Sequence, residues 1–319
     1  MTATTSARTR RRALVMLLVA PLLCGVLLAG LVSAAWVALG RPTPASGAVW
    51  LEVTRLGSAR YAPTPGQPFF ALIVGTGARS DDPAESTDDP GLADAVHVIG
   101  VNPALNAATI LDIPRDTEGP TGQKINSYIL SNPDTGLRDM ANAVSSITGA
   151  PISYVIRVNF PNFVQMVDEM GGIDINIPAP MNDSFSGAVF DPGPTHLDGG
   201  HALAFSRDRH SFTNGDLTRT SNQGLLILSA LATLEARHPS AGDTVRLVAS
   251  LGTHTKLDGV SIPELFQLGQ YALSIDPTNI KNVVLPVGEA GNGTTNLVKT
   301  ADAGPLLADF VDDGVLQTH

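Results

Sequence analysis

An uncharged segment near the N-terminus limits what this chain can fold into more than any other feature. Residues 13–39 contain no Asp, Glu, Lys or Arg over 27 positions. A helix rises about 1.5 Å per residue, so this segment is roughly 40 Å long and can cross a bilayer with some tilt. We therefore predict a transmembrane helix at 13–39, and the rest of the chain has to fold outside the bilayer core.

Four arginines precede the apolar segment, and residues 1–12 contain no acidic residue. The positive-inside bias places this basic tail in the cytoplasm and everything after residue 40 outside the cell membrane. A cleaved signal peptide, cut near the small residues 33–35, is the alternative interpretation. The apolar stretch is far longer than the apolar h-region of a signal peptide, which usually has about 7–15 residues, and this favours an uncleaved single-pass anchor.

The charge balance and the cysteine content limit which partners and which types of site are possible in the chain after the apolar segment. The chain has 20 basic and 30 acidic residues, and five of the arginines lie before residue 42. An acidic domain repels nucleic acid, so we exclude that partner class. The only cysteine, Cys24, lies in the apolar segment, which excludes disulfides, cysteine metal sites and a cysteine nucleophile outside it.

Residues 40–67 are rich in Pro, Gly, Ala and Ser and are predicted to be a linker with one short strand at 49–53. From residue 68 to 319 strand and helix patterns alternate, which predicts one α/β domain. Further strands are predicted at 69–74, 94–101, 107–113, 152–158, 173–177 and 283–287. Helices are predicted at 137–148, 162–170, 217–236, 244–251, 263–274 and 305–311. The Pro- and Gly-rich segment 179–196 is predicted to be a loop.

Arginines are concentrated in residues 197–223. Arg207 and Arg209 are two positions apart and point to one face if they lie on a strand. Asp216, Arg219 and Gln223 form one stripe if they lie on a helix. Together these forked donors suit an anion with several oxygens, above all a phosphate. Two alternatives stand: Asp216 is simply a helix N-cap, and Arg219, taken alone, is a solvated surface residue.

A second charged group follows the strand predicted at 107–113. Arg115 and Asp116 come just past a buried strand end, a usual place for a site in an α/β sheet. Alternatively, they only pair with each other. Lys124 lies near the start of a predicted helix, where a cation opposes the helix dipole, and a bound anion would resolve that conflict. The alternative is that its side chain simply reaches water.

Three ordered blocks carry a family resemblance over roughly residues 69–235. They are Arg207-Asp-Arg with Gly215-Asp-Leu-Thr-Arg and Asn222-Gln, then Ile113-Pro-Arg-Asp with Lys124-Ile-Asn, and the run 163–173. The chain resembles the LytR–CpsA–Psr family of membrane-anchored bacterial enzymes, which transfer glycopolymers from a polyprenyl-pyrophosphate carrier onto the cell wall. The resemblance implies a central mixed sheet with helices on both faces.

The resemblance also implies roles for individual residues and a reaction. A sugar hydroxyl of peptidoglycan or another wall acceptor would attack the pyrophosphate, form a phosphodiester and release polyprenyl phosphate. Asp94 matches a ligand of Mg²⁺, or of Mn²⁺ in its place. The positions matched to catalysis are Arg115, Arg207, Arg209 and Asp216. The positions matched to pyrophosphate binding are Lys124, Arg219, Gln223 and Arg79.

The chain departs from the family pattern at two positions on the metal side. Gly77 stands where the family commonly has an aspartate, and Leu92 stands where it often has an arginine. Asp81 or Asp82 could replace the first of these. The departures leave a second hypothesis open: a non-catalytic protein that binds polyprenyl-phosphate lipids as a carrier or scaffold. A metal-dependent reaction would separate the enzyme from the binder.

Other wall enzymes fit the sequence less well. The chain has neither the Ser-x-x-Lys of penicillin-binding enzymes nor a Gly-x-Ser-x-Gly elbow. The spacing of His196, His201 and His210 fits no common pair of zinc ligands on a helix, so we interpret them as surface histidines.

Overall fold

The computed structural model describes residues 51–56, 67–77, 91–237, 252, 254–291 and 293–317. The predicted basic tail, the transmembrane helix at 13–39, Arg79, the segment 80–90 with Asp81 and Asp82, and the predicted helix at 244–251 lie outside the described residues. Among the helices that are described, none is long and apolar enough to cross a membrane. The transmembrane helix therefore stays a prediction.

Strands and helices alternate along the described chain. The longer strands are β1 Leu51–Arg55, β2 Phe69–Gly77, β3 Leu92–Asn102, β4 Ala107–Asp112, β5 Ile152–Asn159, β6 Ile173–Ile177, β9 Gly193–Leu197, β10 Thr255–Asp258 and β11 Ile280–Val284. The strands of three residues are β7 Met181–Asp183, β8 Ala188–Phe190, β12 Val287–Glu289 and β13 Leu297–Lys299. The helices are α1 Gly136–Thr148, α2 Phe160–Glu169, α3 Gly199–Arg207, α4 Gly215–Arg237, α5 Ile262–Ser274 and α6 Ala303–Asp313, with 3-10 turns at Ile125–Leu130 and Pro277–Asn279.

Seven strands form the central sheet in the order β10-β1-β5-β2-β3-β4-β11. β2 runs antiparallel to β3, with Leu72 opposite Val98, and parallel to β5, with Leu72 beside Val155. β4 is antiparallel to β3 and parallel to β11. The predicted mixed sheet is therefore confirmed. The strand that we placed in the linker is described at Leu51–Arg55 and pairs with β5 and β10, so chain before residue 68 already belongs to the domain.

One face of the sheet is covered by α1 and α6. Phe70, Leu72 and Val74 alternate along β2 and pack in one core with Met140 of α1 and Phe310 of α6. The rings of Phe70 and Phe310 meet edge to face with their centroids 5.3 Å apart. Full burial of one such side chain stabilises the fold by about 1.5–3 kcal/mol. This amphipathic match fixes which face of β2 points to which helix layer.

The opposite face of the sheet is covered by α4 and α5. Phe69 and Ala71, the intervening residues of β2, pack with Leu228 of α4 and with Leu268 and Tyr271 of α5. The side-chain period of two along a strand produces these two separate cores. Helices therefore cover both faces, as the resemblance implies.

A third core lies beside the sheet and involves α2, α3 and α4. It contains two short antiparallel pairs, β6 with β9 and β7 with β8. The prediction of a loop at 179–196 was wrong, because three short strands lie there. Side chains alternate between buried and exposed along β7 and β8, so each strand contributes to this core.

A polar cluster is buried where α4 crosses the sheet. Nδ1 of His97 lies 2.6 Å from Asp112, and the amide of Asn282 donates to the other Asp112 oxygen at 2.7 Å. Burial raises the pKa of the Asp112 carboxyl, and the contacts with His97 and Asn282 oppose that shift. A Cβ at Gly224 would overlap with the Asp112 carboxylate, so only glycine lets α4 come this close. The cluster thus holds α4 against the sheet at Gly224, the residue that follows Gln223.

Candidate functional site

A cavity of about 340 Å³ opens at the carboxyl ends of the parallel strands, where β3 begins and where α3 is followed by α4. Its walls are strongly polar. The lining residues are Asp94, Arg115, Asp183, Phe185, Ser186, Arg207, Arg209, His210, Arg219 and Gln223. Most of the residues expected to form the site therefore lie together, although they come from distant parts of the sequence.

Asp94 and Arg115 connect two neighbouring strands at the base of the cavity. Asp94 is the third residue of β3, and Arg115 follows the end of β4. The guanidinium of Arg115 donates to the Asp94 carboxylate. Arg115 does not pair only with Asp116: its Nε lies 3.8 Å from that carboxylate, but its guanidinium also donates to Asp94 and lies 3.9 Å from Asp216. Asp94 thus carries the fixed negative charge at the base, and Arg115 lies directly beside it.

Asp216 is the point on which three arginines converge. Its carboxylate lies 3.2 Å from Arg219, 3.9 Å from Arg209 and 3.9 Å from Arg115. Helix α4 begins one residue earlier, at Gly215, so Asp216 belongs to the first turn of the helix and is not its N-cap. Even with Asp94 beside Arg115, two carboxylates face three guanidinium groups, so the group retains an excess of positive charge.

Arg219 is the buried member of this group, with 5% of its surface exposed. Burial lowers the pKa of its guanidinium below the ordinary value, while the Asp216 carboxylate opposes the shift. Within the described part of the chain, Nε and Nη2 of Arg219 and Nε of Arg115 are buried and donate no hydrogen bond, although Nη2 of Arg219 forms the ion pair with Asp216. A buried donor without a partner costs about 1–3 kcal/mol. An anion in the cavity is the kind of ligand that such donors suit.

Arg207 and Arg209 do not lie on a strand, and that prediction was wrong. Arg207 is the last residue of α3, and Arg209 lies in the connection to α4. Asp198 accepts a hydrogen bond from the backbone N–H of His201 and so starts a helix there instead. Both arginines still reach the cavity, and the Arg207 guanidinium lies 5.2 Å from the ring centroid of Phe160. A cation over an aromatic face is held in place while it stays accessible to solvent.

Two expected ligands of the anion have other partners. Nζ of Lys124 lies 2.7 Å from the Asp116 carboxylate, and Lys124 is not one of the residues that line the cavity. This carboxylate, rather than a bound anion, resolves the conflict with the helix dipole. The amide of Gln223 donates to the backbone carbonyls of Ser206 at 3.0 Å and Asp94 at 3.3 Å. Gln223 thereby fastens α3, α4 and β3 to one another.

Sequence reasoning missed Asp183, Phe185 and Ser186, and it interpreted His210 only as a surface residue. Asp183 is 1% exposed and accepts hydrogen bonds from the backbone N–H groups of Phe185 at 2.9 Å, Arg209 at 3.3 Å and His210 at 3.4 Å. Nδ1 of His210 lies 2.9 Å from the same carboxylate. One buried aspartate therefore ties the β7–β8 turn to the segment that carries Arg209.

Asp183→Asn is expected to lower the free energy of unfolding at pH 7 by about 2 kcal/mol, because charge-assisted hydrogen bonds are lost. Burial alone would raise the pKa of Asp183, but the hydrogen bonds from His210 and the backbone hold that pKa well below its ordinary value. A lowered pKa gives stability that is present above about pH 4 and is lost as the pH falls. Urea unfolding at pH 7, 5 and 3 measures the difference. The exposed Asp191→Asn is the control, and a pH-independent difference would contradict the account.

The residues present restrict how a metal ion could be held. Asp94 offers one carboxylate, and a Mg²⁺ ion is often bound through one or two carboxylates together with phosphate oxygens and water. No group of three His, Cys, Asp or Glu side chains suited to a metal is found in the described residues. Gly77 cannot be extended to a second ligand without movement, because a Cβ there would overlap with the Phe160 ring. With Asp94 as its single carboxylate ligand, the site fits a cation that takes its other ligands from a phosphorylated substrate.

Relatives with assigned names match half of this chain. It is 31% identical over 166 residues to the polyisoprenyl-teichoic acid–peptidoglycan teichoic acid transferase TagU of Bacillus licheniformis and 32% identical to TagU of Bacillus subtilis. Each match covers 50% of both proteins. The chain thus spans about half the length of these relatives.

Solved structures share the fold over most of the chain. A LytR-Csp2A-Psr enzyme from Actinomyces oris has a TM-score of 0.62 at 20% identity, covering 81% of this chain and 93% of that one. TagV of B. subtilis has a TM-score of 0.61 at 22% identity, covering 78% and 99%. The model of the LytR_cpsA_psr family matches residues 55–303, well over half of the sequence. With the strand order and the arginine-lined cavity, this match shows that the chain belongs to the LytR–CpsA–Psr family.

Proposed function

We propose that this protein transfers a glycopolymer from a polyprenyl-pyrophosphate carrier onto peptidoglycan or another cell-wall acceptor. The observation that carries the proposal is the convergence of four arginines on one cavity, with buried guanidinium donors that have no hydrogen-bond partner there. The relatives named as teichoic acid transferases support glycopolymer transfer to peptidoglycan. The pyrophosphate donor rests on the chemistry of the cavity.

Positioning and charge neutralisation are the main demands of phosphoryl transfer. In the proposed reaction the pyrophosphate lies among Arg115, Arg207, Arg209 and Arg219. The acceptor hydroxyl oxygen forms a bond to the phosphorus that carries the glycopolymer, and its proton is released. The bond from that phosphorus to the bridging oxygen breaks, so that polyprenyl phosphate leaves. The guanidinium groups stabilise the negative charge that develops on the phosphate oxygens, and Asp216 keeps three of them aligned.

Asp94 is the residue that would hold a divalent cation, Mg²⁺ or Mn²⁺, in this proposal. A bound cation would neutralise charge on the pyrophosphate oxygens. The predicted helix at 13–39 would anchor the protein as a single-pass membrane protein with its domain outside the cell. That placement suits a donor whose lipid tail stays in the bilayer and an acceptor in the wall.

A non-catalytic lipid-binding role is the second candidate. The observation that favours it is the single carboxylate at the metal side, since the ring of Phe160 fills the space at Gly77. Such a protein would use the same arginines to hold polyprenyl pyrophosphate without cleaving it. Metal dependence of turnover decides between the two functions.

The deciding experiment uses the full-length protein in detergent with a polyprenyl-pyrophosphate donor and follows release of polyprenyl monophosphate with and without Mg²⁺. We expect metal-dependent turnover that Asp94→Ala abolishes and that Arg207→Ala/Arg209→Ala lowers by at least about 10³-fold. Arg138→Ala is the matched control, since Arg138 is exposed and pairs with Asp258.

The other outcomes separate the two candidate functions. Binding that needs the arginines but gives no turnover with any metal would contradict the transferase and support the lipid-binding role. No binding of the donor by the wild-type protein would contradict both.

A further inference from the structure

Phe185 combines two properties that are rarely found together. It is 80% exposed, although it is a large apolar side chain. It also lines the anion-binding cavity, and it is the only apolar residue among the described residues that do so. An exposed aromatic ring at the mouth of a charged cavity indicates a contact with a ligand.

The ring of Phe185 is held by its neighbours. Its centroid lies 4.7 Å from that of the His210 ring, with the planes 39° apart. The backbone N–H of Phe185 and the side chain of His210 both bind the buried carboxylate of Asp183. Phe185 and His210 therefore form one surface, here named the aromatic platform, whose position is set before a ligand arrives. A surface that is fixed in advance costs less free energy to order on binding.

The surroundings of the aromatic platform determine what chemistry fits it. Ser186 and Arg209 lie beside it and offer a hydroxyl and a guanidinium. A polyprenyl chain needs a continuous apolar surface, and Phe185 provides only one apolar side chain. A hexose ring has a face of C–H groups that packs on the negative face of an aromatic ring, while its hydroxyls point sideways to polar groups. The mixed surface matches a sugar.

We propose that the aromatic platform is a saccharide subsite, at which one hexose ring packs on Phe185 beside the phosphate that lies among the arginines. The inference rests on the proposed function, because it assumes that the phosphate in the cavity is attached to a sugar. Phe185 acts as a specificity residue in this arrangement. The ring belongs either to the donor, next to its pyrophosphate, or to the acceptor that supplies the hydroxyl.

The test compares two phosphate monoesters that differ in their sugar, N-acetylglucosamine 1-phosphate and methyl phosphate. Their dissociation constants for the full-length protein are measured by NMR titration. We expect the sugar to tighten binding about five- to tenfold in the wild-type protein. Phe185→Ala should remove that gain and leave methyl phosphate binding unchanged, whereas Phe185→Trp should retain it.

Val189→Ala is the matched control. Val189 lies on the same short hairpin and is 73% exposed, but it does not line the cavity. A third ligand, uncharged N,N′-diacetylchitobiose added with inorganic pyrophosphate, separates the two sources of the sugar. If Phe185→Ala weakens the binding of chitobiose, the subsite belongs to the acceptor. If it weakens the binding of the sugar phosphate alone, the subsite belongs to the donor.

Two results would overturn the saccharide subsite. One is equal affinity for the two monoesters in the wild-type protein together with chitobiose binding that does not depend on Phe185, and the other is an equal loss of affinity for both monoesters in Phe185→Ala. Failure of the proposed function has a different signature, since methyl phosphate binding would then be absent or insensitive to Arg207→Ala/Arg209→Ala. In that case the chitobiose measurement still decides whether Phe185 binds a sugar.

Discussion

Arg219→Ala is expected to lower the turnover of polyprenyl pyrophosphate by about 10²–10³-fold and to weaken pyrophosphate binding at the same time. The reason is the position of this guanidinium. It is buried, lies 3.2 Å from Asp216 and holds two N–H groups that donate no hydrogen bond within the described structure. Charges act over a low dielectric at such a site, so each donor contributes more than it would in water.

Arg219→Lys is the informative companion variant. It keeps the charge but loses the planar fork that can bind two phosphate oxygens at once, so we expect an intermediate loss of turnover. Loss of Arg219 removes a desolvated charge, which stabilises the fold, but it also leaves Asp216 with fewer partners, which destabilises it. Thermal unfolding of both variants therefore has to show that the fold is intact. Turnover within a factor of three of the wild type in a folded Arg219→Ala protein would contradict a catalytic role for this arginine.

The larger elements of the fold were predictable from the sequence because burial dictates their pattern. β2 is almost entirely buried, and its run of apolar residues indicated a strand that the structure extends to Gly77. Helix α1 was predicted to within one residue, because its apolar side recurs with the helical period. By contrast, β7 and β8 have three residues each and are defined by contacts in the third core, which a local pattern does not contain.

The candidate site was predictable in its chemistry but not in its local geometry. The spacing of Arg207 and Arg209 was interpreted as strand spacing, whereas Asp198 caps a helix that ends at Arg207. The cap was the signal that could have corrected this prediction. Asp183 gave no signal of its own, because its partners Arg209 and His210 follow 26 and 27 residues later. A buried carboxylate that binds backbone groups is visible only once the chain is folded.

Gly77→Asp is expected to destabilise the fold by about 1–3 kcal/mol when it is made alone. The resemblance implies an aspartate at this position, so the substitution would nominally restore a metal ligand. In this chain the Cβ of residue 77 would overlap with the ring of Phe160, which also lies beneath the Arg207 guanidinium. The new side chain therefore has to displace the ring and disturb an arginine of the cavity.

Phe160→Ala should relieve that overlap, so the two substitutions are expected to be non-additive by at least about 1 kcal/mol in urea unfolding. Gly77→Ala is the control that separates the steric overlap from the added charge. Because β2 and β3 are adjacent, residue 77 and Asp94 lie on neighbouring strands, and the double variant should bind Mn²⁺ more tightly than the wild type in the presence of pyrophosphate. Additive losses of stability would mean that Phe160 does not occupy this space. A stable double variant with unchanged Mn²⁺ affinity would mean that the glycine is not what limits the metal side to one carboxylate.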